Sequence, residues 1–249
     1  MFGSTANKIT GAINKQYNGI EYYFHLKKTN DSLAKANERL YNMLAQNYLL
    51  PDSADVKQVI DTLRVDSIKE YRRFIYREAR VIANSVTAQN NYMVLYGPQV
   101  SAMRAGMGVV DANNAVLGAI TEVNGNYAVL MSLLHSDSKQ NGKLFKTGQT
   151  GTVTWDGKNP DELSFSGISK GVTLAKGDSV ISSGFSAIFP KGLLIGRVKE
   201  IYSSKESSTY RIVLTPGANF HNVAYGYAIE NVHKPAIDSL LKKAKQKSN

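Results

Sequence analysis

The chain has 249 residues, 43% of them apolar and 20% charged, with no cysteine and a formal net charge of +10. That composition supports a packed core and argues against wholesale disorder, and the length suits two compact units plus extra helix. The missing thiols remove disulfides, thiolate nucleophiles and cysteine-ligated metal in one step. No apolar run reaches the ~18 residues of a membrane helix, and the first residues lack the basic and apolar regions of a signal peptide.

The charge is unevenly placed. Residues 1–50 hold six Lys/Arg against three acids, 51–80 seven against six, 81–233 twelve against ten, and 234–249 five against one. Most of the excess therefore belongs to the front and the tail, and the body is nearly neutral. A barrel that bound nucleic acid would concentrate positive charge on itself, so the oligonucleotide-binding alternative is weak and no nucleic-acid partner is expected.

From Thr5 to about Tyr48 there is no proline, and Ile9, Ile13, Tyr17, Ile20 and Phe24 recur at three- and four-residue steps, as on a helix. The period then becomes seven. Leu26, Leu33 and Leu40 fall at one heptad position, and Asn30, Asn37 and Leu44 at the other. Leucine suits the d position of a parallel dimer. Asparagine at a fixes register and favours two strands, because the same asparagine on a second chain satisfies it best. The competing reading is an amphipathic helix packed on its own body with both asparagines in solvent. A helix of ~40 residues would run about 60 Å, which suits a stalk.

Pro51-Asp52-Ser53 ends that helix, and a helical or irregular segment leads to the basic run Arg72-Arg73 through Arg80. From Ala79 the rhythm changes to short β-rich segments near 79–86, 91–96, 115–123, 127–134, 150–155, 161–168, 178–183, 193–202, 208–215 and 223–229. Gly-Asn, Gly-Asp, Asn-Asn and Pro-Gly pairs separate them, with no helical pattern between strands, so barrels or sandwiches are expected. The tail from Lys234 reads as a short basic amphipathic helix or a frayed end.

One stretch, KGDSVISSG, poses a chemical question, because Gly177-Asp178-Ser179 looks like the nucleophile loop of a chymotrypsin-like serine hydrolase. That chemistry needs a base, an orienting carboxylate and two aimed backbone N–H groups. Here Val180 and Ile181 follow the serine where glycines belong. Of the candidate bases, His25 lies in the stalk, His233 at the tail, His135 at the polar end of a strand, and His221 lacks a ligand-like spacing. Ser179 reads as the start of a strand after a Gly-Asp turn. No metal-ligand spacing or nucleotide-binding loop is present, and Trp155 before Asp156-Gly157 reads as a turn flank. Neither a cofactor, a metal nor a catalytic residue is expected. What stands out is corner chemistry, with Gly177, Gly184, Gly192 and Gly196 punctuating twenty residues that also hold Asp178, Ser183, Phe189 and Pro190.

These residues carry a resemblance. GDSVISSGFSAIFPKGLLIGRV is similar to the C-terminal signature of the bacterial rod-shape-determining MreC family. GMGVVDANNAVLGAITEVNGNYAVLMSLL resembles an earlier family segment, and the stretch Asn30 to Leu40 resembles the N-x-x-L-x-x-x-N-x-x-L stalk. Ser182, Ala36 and Ser186-Ala187 depart from the family pattern. The resemblance implies a mainly β protein with a long N-terminal α-helix, a coiled-coil stalk followed by two small β-barrels. It divides the chain into a stalk at 1–49, a linker at 50–78, a first barrel at 79–142 completed by later strands from 208–230, a second barrel at 143–207, and a basic tail at 234–249. It also implies a non-enzymatic scaffold that binds and activates a class B penicillin-binding transpeptidase beside MreB, MreD and RodZ. Such a protein forms a homodimer or larger assembly, lies outside the cytoplasm, and is held at the inner membrane by a helix upstream of Met1.

Overall fold

The structure is a computed structural model that describes residues 26–44 and 73–246. The apolar stripe from Ile9 to Phe24, His25, and most of the expected linker lie outside the described residues. A helix, α1, covers 26–43. Twelve strands follow: β1 (Phe74–Asn84), β2 (Asn90–Tyr96), β3 (Gly108–Val110), β4 (Val116–Asn124), β5 (Tyr127–His135), β6 (Lys139–Leu144), β7 (Thr150–Thr154), β8 (Leu163–Ser169), β9 (Ser179–Ser182), β10 (Leu194–Tyr202), β11 (Thr209–Pro216) and β12 (Tyr225–Asn231). The tail does form a helix, α2 (Lys234–Gln246).

The strands close into two barrels, ordered β1-β12-β3-β4-β5-β2 and β10-β11-β8-β7-β6-β9. The second is inserted into the first. The chain leaves after β5, builds all of the second barrel, and returns to place β12 between β1 and β3. Three boundaries differ from the sequence expectation. The first barrel was carried to residue 142, but β6 starts at Lys139, pairs with β7 and β9, and belongs to the second. The strand read near 208–215 was assigned to completing the first barrel, but β11 pairs with β8 and β10 and belongs to the second. The linker was extended to residue 78, whereas β1 begins at Phe74, because Phe74 to Ala79 pair with β12 from Asn231 to Gly226.

Closing a sheet of six short strands needs sharp local bending. Register shifts at Val81/Ala83, Ile120/Glu122 and Val198/Glu200 supply it, since each bulge adds twist and kinks its strand. Leu95, Val109, Leu117 and Leu130 are fully buried in strands of the first barrel, and Val153, Phe165, Ile212 and Leu214 in strands of the second.

The two barrels are locked by the loop after β9. Phe189 from that loop is 3% exposed and lies so close to Gly108 of β3 that a Cβ there would be 2.2 Å from the ring. Asn231 donates to the Ala187 carbonyl at 3.0 Å, and the Leu194 amide donates to the Asn114 carbonyl at 3.0 Å. Glycine at 108 is thus required by close approach, and the ring fills the space a side chain would occupy. Substituting Gly108→Ala is expected to destabilise the chain by about 1–3 kcal/mol through overpacking. The same change should cost much less in a Phe189→Ala background, where the ring is gone. Urea unfolding of the four variants in this cycle checks both statements, and simple additivity would overturn the contact.

Candidate assembly and partner surfaces

Strand β1 pairs with β12 along Phe74 to Arg80, but with β2 only from Arg80 onward. The other edge of its first half therefore has no strand beside it, and an uncovered edge invites pairing with another chain. Helix α1 covers it. The Asn42 side chain accepts the Tyr76 N–H at 2.8 Å and donates to the Tyr76 carbonyl at 2.9 Å, so a single amide stands in for a strand's two backbone groups. Tyr41 stacks on Tyr76 at 5.1 Å, meets Tyr227 edge-on at 5.2 Å, and donates its hydroxyl to the Ala112 carbonyl at 2.8 Å. Ala34 is buried, being small enough for close approach.

One turn back along the helix, Glu38 accepts Gln99 Nε2 at 2.8 Å. Near its start, Asp31 accepts the Tyr225 hydroxyl at 2.6 Å and pairs with Arg80 at 2.7 Å. The Tyr225 hydroxyl first, and then the Arg80 guanidinium, hold the Asp31 carboxyl below the usual carboxylate range. Burial pushes the Tyr41 and Tyr225 hydroxyls up to about 12. Glu78 lies buried beneath the helix, and burial, reinforced by the nearby Glu38 charge, raises its carboxyl.

The heptad residues divide between two environments. Leu26, Leu33, Leu40 and Leu44 are 42%, 57%, 62% and 37% exposed, and Asn30 is exposed beside them. Asn37 instead sits half-buried, near enough to the Tyr227 hydroxyl of its own chain to lower its pKa against the rise that burial causes. It was expected to face a second chain. The barrel-facing group Asp31, Ala34, Glu38, Tyr41 and Asn42 is centred roughly 130° around the helix from the leucines, and Asn30 and Asn37 both fall between the two arcs. The helix thus packs on its own barrel and still presents a leucine seam. The docking face was not anticipated from the heptad pattern, which treats these positions as solvated.

The corner residues stand at the two ends of β9 and at the start of β10. Gly177 and Gly192 have φ of +87° and +100°, and a Cβ on Gly196 would come 2.6 Å from the Thr215 carbonyl oxygen. Gly184 combines a φ of +80° with Lys191 packed 2.8 Å from where its Cβ would stand, so no other residue fits. Asp178 accepts the Ala175 N–H at 2.8 Å and pairs with Lys146, and the Lys146 hydrogen bond leads in lowering its carboxyl. Ser182 donates to the Pro190 carbonyl at 2.6 Å and accepts the Leu193 N–H at 2.9 Å, and the Ser183 hydroxyl accepts the Phe185 N–H at 3.2 Å. This loop, with Phe189 at its tip, is the bolt between the barrels.

Ser179 opens β9, and its hydroxyl accepts Arg197 Nη1 at 2.9 Å. His135 contacts the Tyr92 hydroxyl at 3.0 Å and His221 lies 3.5 Å from Asp161, so both imidazoles are engaged elsewhere. Among the described residues, no three His, Asp or Glu side chains cluster as a metal site, and no helix is long and apolar enough to cross a membrane. Trp155 is 4% exposed and donates to the Asn159 carbonyl at 2.8 Å, which closes its turn.

Comparisons with known proteins agree in direction. A family profile described as "Rod shape-determining protein MreC, barrel core" matches residues 81–229. The cell shape-determining protein MreC of Listeria monocytogenes is 22% identical over 202 residues, spanning 80% of this chain. The alignment takes in 64% of that relative's length. Among solved structures, an MreC from Listeria monocytogenes superposes with a TM-score of 0.59 at 19% identity, covering 83% of this chain and 94% of that one. The crystal structure of MreC from Pseudomonas aeruginosa superposes with a TM-score of 0.56 at 19% identity, covering 61% and 97%. At that identity the structures speak to fold.

The docking face makes a pH-dependent prediction. The Glu78 carboxyl titrates above its ordinary value in the folded chain, so its charge costs stability at neutral pH. That cost disappears as pH falls through the raised value toward the unfolded one. Substituting Glu78→Gln is therefore expected to raise the Tm at pH 7.5 and to leave it unchanged near pH 4, where the native carboxyl is already protonated. Thermal melts at the two pH values check this, and a Tm gain of equal size at both would overturn it.

Proposed function

Because the chain belongs to the MreC family of rod-shape-determining proteins, we propose that it is a non-enzymatic scaffold of the bacterial cell-elongation machinery. In this reading it binds and activates a class B penicillin-binding transpeptidase and couples it to MreD, MreB and RodZ. It works outside the cytoplasm, held at the inner membrane by a helix upstream of Met1. The family match over both barrels supports the assignment, and the exposed leucine seam of α1 is the observation that carries the scaffold reading. A helix that is fixed to its barrel by one face and bare along another is built to receive a second helix.

In the proposed homodimer, Leu26, Leu33, Leu40 and Leu44 of two chains pack together with Asn30 at the edge of the seam. Asn37 stays on Tyr227. Each barrel pair is thereby carried at a set angle to the dimer axis, which suits a protein that must present the same surface to several membrane-bound partners.

The seam is testable without disturbing the docking face. Light scattering of the full chain is expected to give a dimer, and the double substitution Leu33→Glu, Leu40→Glu to give a monomer with an unchanged Tm. Since the chain has no cysteine, Leu33→Cys should yield a disulfide-linked dimer on mild oxidation if the helices pair in register. A monomer for the unmodified chain at concentrations of ~100 µM, far above typical dimer affinities, would remove the seam from the account. Co-purification with the extracytoplasmic part of a class B transpeptidase tests the partner separately.

A further inference from the structure

A second surface, on the opposite side of the chemistry from the leucine seam, carries a charge pattern the scaffold reading does not use. Strands β6 and β9 lie side by side, with Gly142, Lys143 and Leu144 opposite Ser182, Ile181 and Val180. These strands and the loops after them, 139–149 and 179–193, contain Lys139, Lys143, Lys146 and Lys191 and no Asp or Glu. Lys146 is paired with Asp178, from just before β9. The other three, and Arg73 at the neighbouring start of β1, have no ion pair among the described residues.

Two rings bracket this face. Phe145 follows β6 and is 70% exposed, and Phe185 follows β9 and is 81% exposed. Because the strands are antiparallel, the rings stand at opposite ends of the pair: Phe145 lies beside Ser179, six residues before Phe185, a span of up to roughly 20 Å if extended. Lys143 lies between them, near enough to Lys191 that the two cations repel, and partial desolvation followed by that repulsion lowers Lys143. Beside Phe185 an open hollow of about 400 Å³ is lined by Arg73, Phe74, Pro190 and Lys191.

We propose that this face of the second barrel docks on the surface of an anionic phospholipid bilayer. Phe145 and Phe185 enter the boundary between headgroups and acyl chains, and Lys143, Lys191 and Arg73 meet the phosphates. The layout favours lipid over an acidic protein. In protein interfaces the aromatic anchor is central and the charges form the rim. Here the rings stand bare at the two ends and the unpaired cations occupy the middle, as an interfacial membrane contact requires. The absence of any carboxylate on the two strands removes the repulsion that would oppose an anionic surface. This proposal goes beyond the scaffold reading and stands on different residues.

Sedimentation of the full chain with vesicles tests it. Vesicles of phosphatidylcholine alone are expected to leave the chain in solution. Vesicles with ~30% phosphatidylglycerol are expected to carry it down, less so as salt is raised. The pair Phe145→Ser, Phe185→Ser and the pair Lys143→Glu, Lys191→Glu should each lower the partition about tenfold or more. Phe145, Phe185 and Lys191 are exposed and Lys143 is half-buried, so an unchanged Tm confirms that the fold is kept. A Phe185→Trp variant should shift its emission to the blue on anionic vesicles and not on neutral ones. The basic helix α2 is the internal control, because its Leu240 is 67% exposed. If Leu240→Glu with Lys243→Glu abolishes binding while the two β6–β9 pairs leave it intact, or if neither vesicle binds the chain, the proposal is wrong.

Discussion

The first half of β1 has only one strand beside it, and everything about the placement of α1 follows from that. Backbone N–H and C=O groups at a barrel seam cannot be left to chance, because each unpaired group is a site for another chain to add to. A second strand would satisfy the seam but would close it off from outside. A helix bearing one asparagine at the right height does the same work for Tyr76 and keeps its remaining surface free. The tyrosine stack at Tyr41, Tyr76 and Tyr227 supplies the apolar contact area, and Asp31 with Arg80 and Tyr225 fixes the far end. Three points of attachment along about three turns set both the tilt and the rotation of the helix. The rotation is what exposes the leucines.

The same economy governs the join between barrels. An aromatic ring on a glycine is a one-sided contact, since the ring brings the volume and Gly108 brings only its absence. Around it, Asn231 and Asn114 take loop backbone groups into account, so the loop is satisfied as well as packed. The barrels therefore meet through a loop ordered by Ser182, Ser183 and Gly184 rather than through a broad sheet-on-sheet face. What resembled a hydrolase loop in sequence is a corner whose hydroxyls are spent on Arg197 at Ser179 and on the main chain at Ser182 and Ser183.

Much of this was legible in the sequence. Ten of the strands announce themselves through β-branched and aromatic runs bounded by Gly, Asn, Asp and Pro, which encode local geometry. β6 does not, because Lys139-Gln-Asn-Gly-Lys-Leu144 has no alternating apolar face. Its inward position at Gly142 is already filled by Val153, Val180 and Phe165 from neighbouring strands. The membership of β11 was equally hidden, since which barrel a strand joins depends on pairing between distant segments, and period-2 patterning is the same in either. The polar face of α1 was unreadable for a related reason. Asp31, Glu38 and Asn42 look like solvent-facing residues until the edge they satisfy is known. The motif glycines, by contrast, stand where a positive φ or a close approach calls for them, a requirement that leaves its mark on a single position.

Inserting one barrel inside another also orders the birth of the molecule. The first barrel cannot close until β12 is made, because β1 and β3 share no pairing of their own and wait for the strand between them. During translation, at ~5–20 residues per second, the stretch 136–224 takes several seconds to emerge, and by then the second barrel has all six of its strands. The inner unit can thus fold as a finished guest while its host stands open with two bare margins. The nascent chain is most vulnerable to wrong partners in that interval, and the last strand to leave the ribosome is the one that ends it.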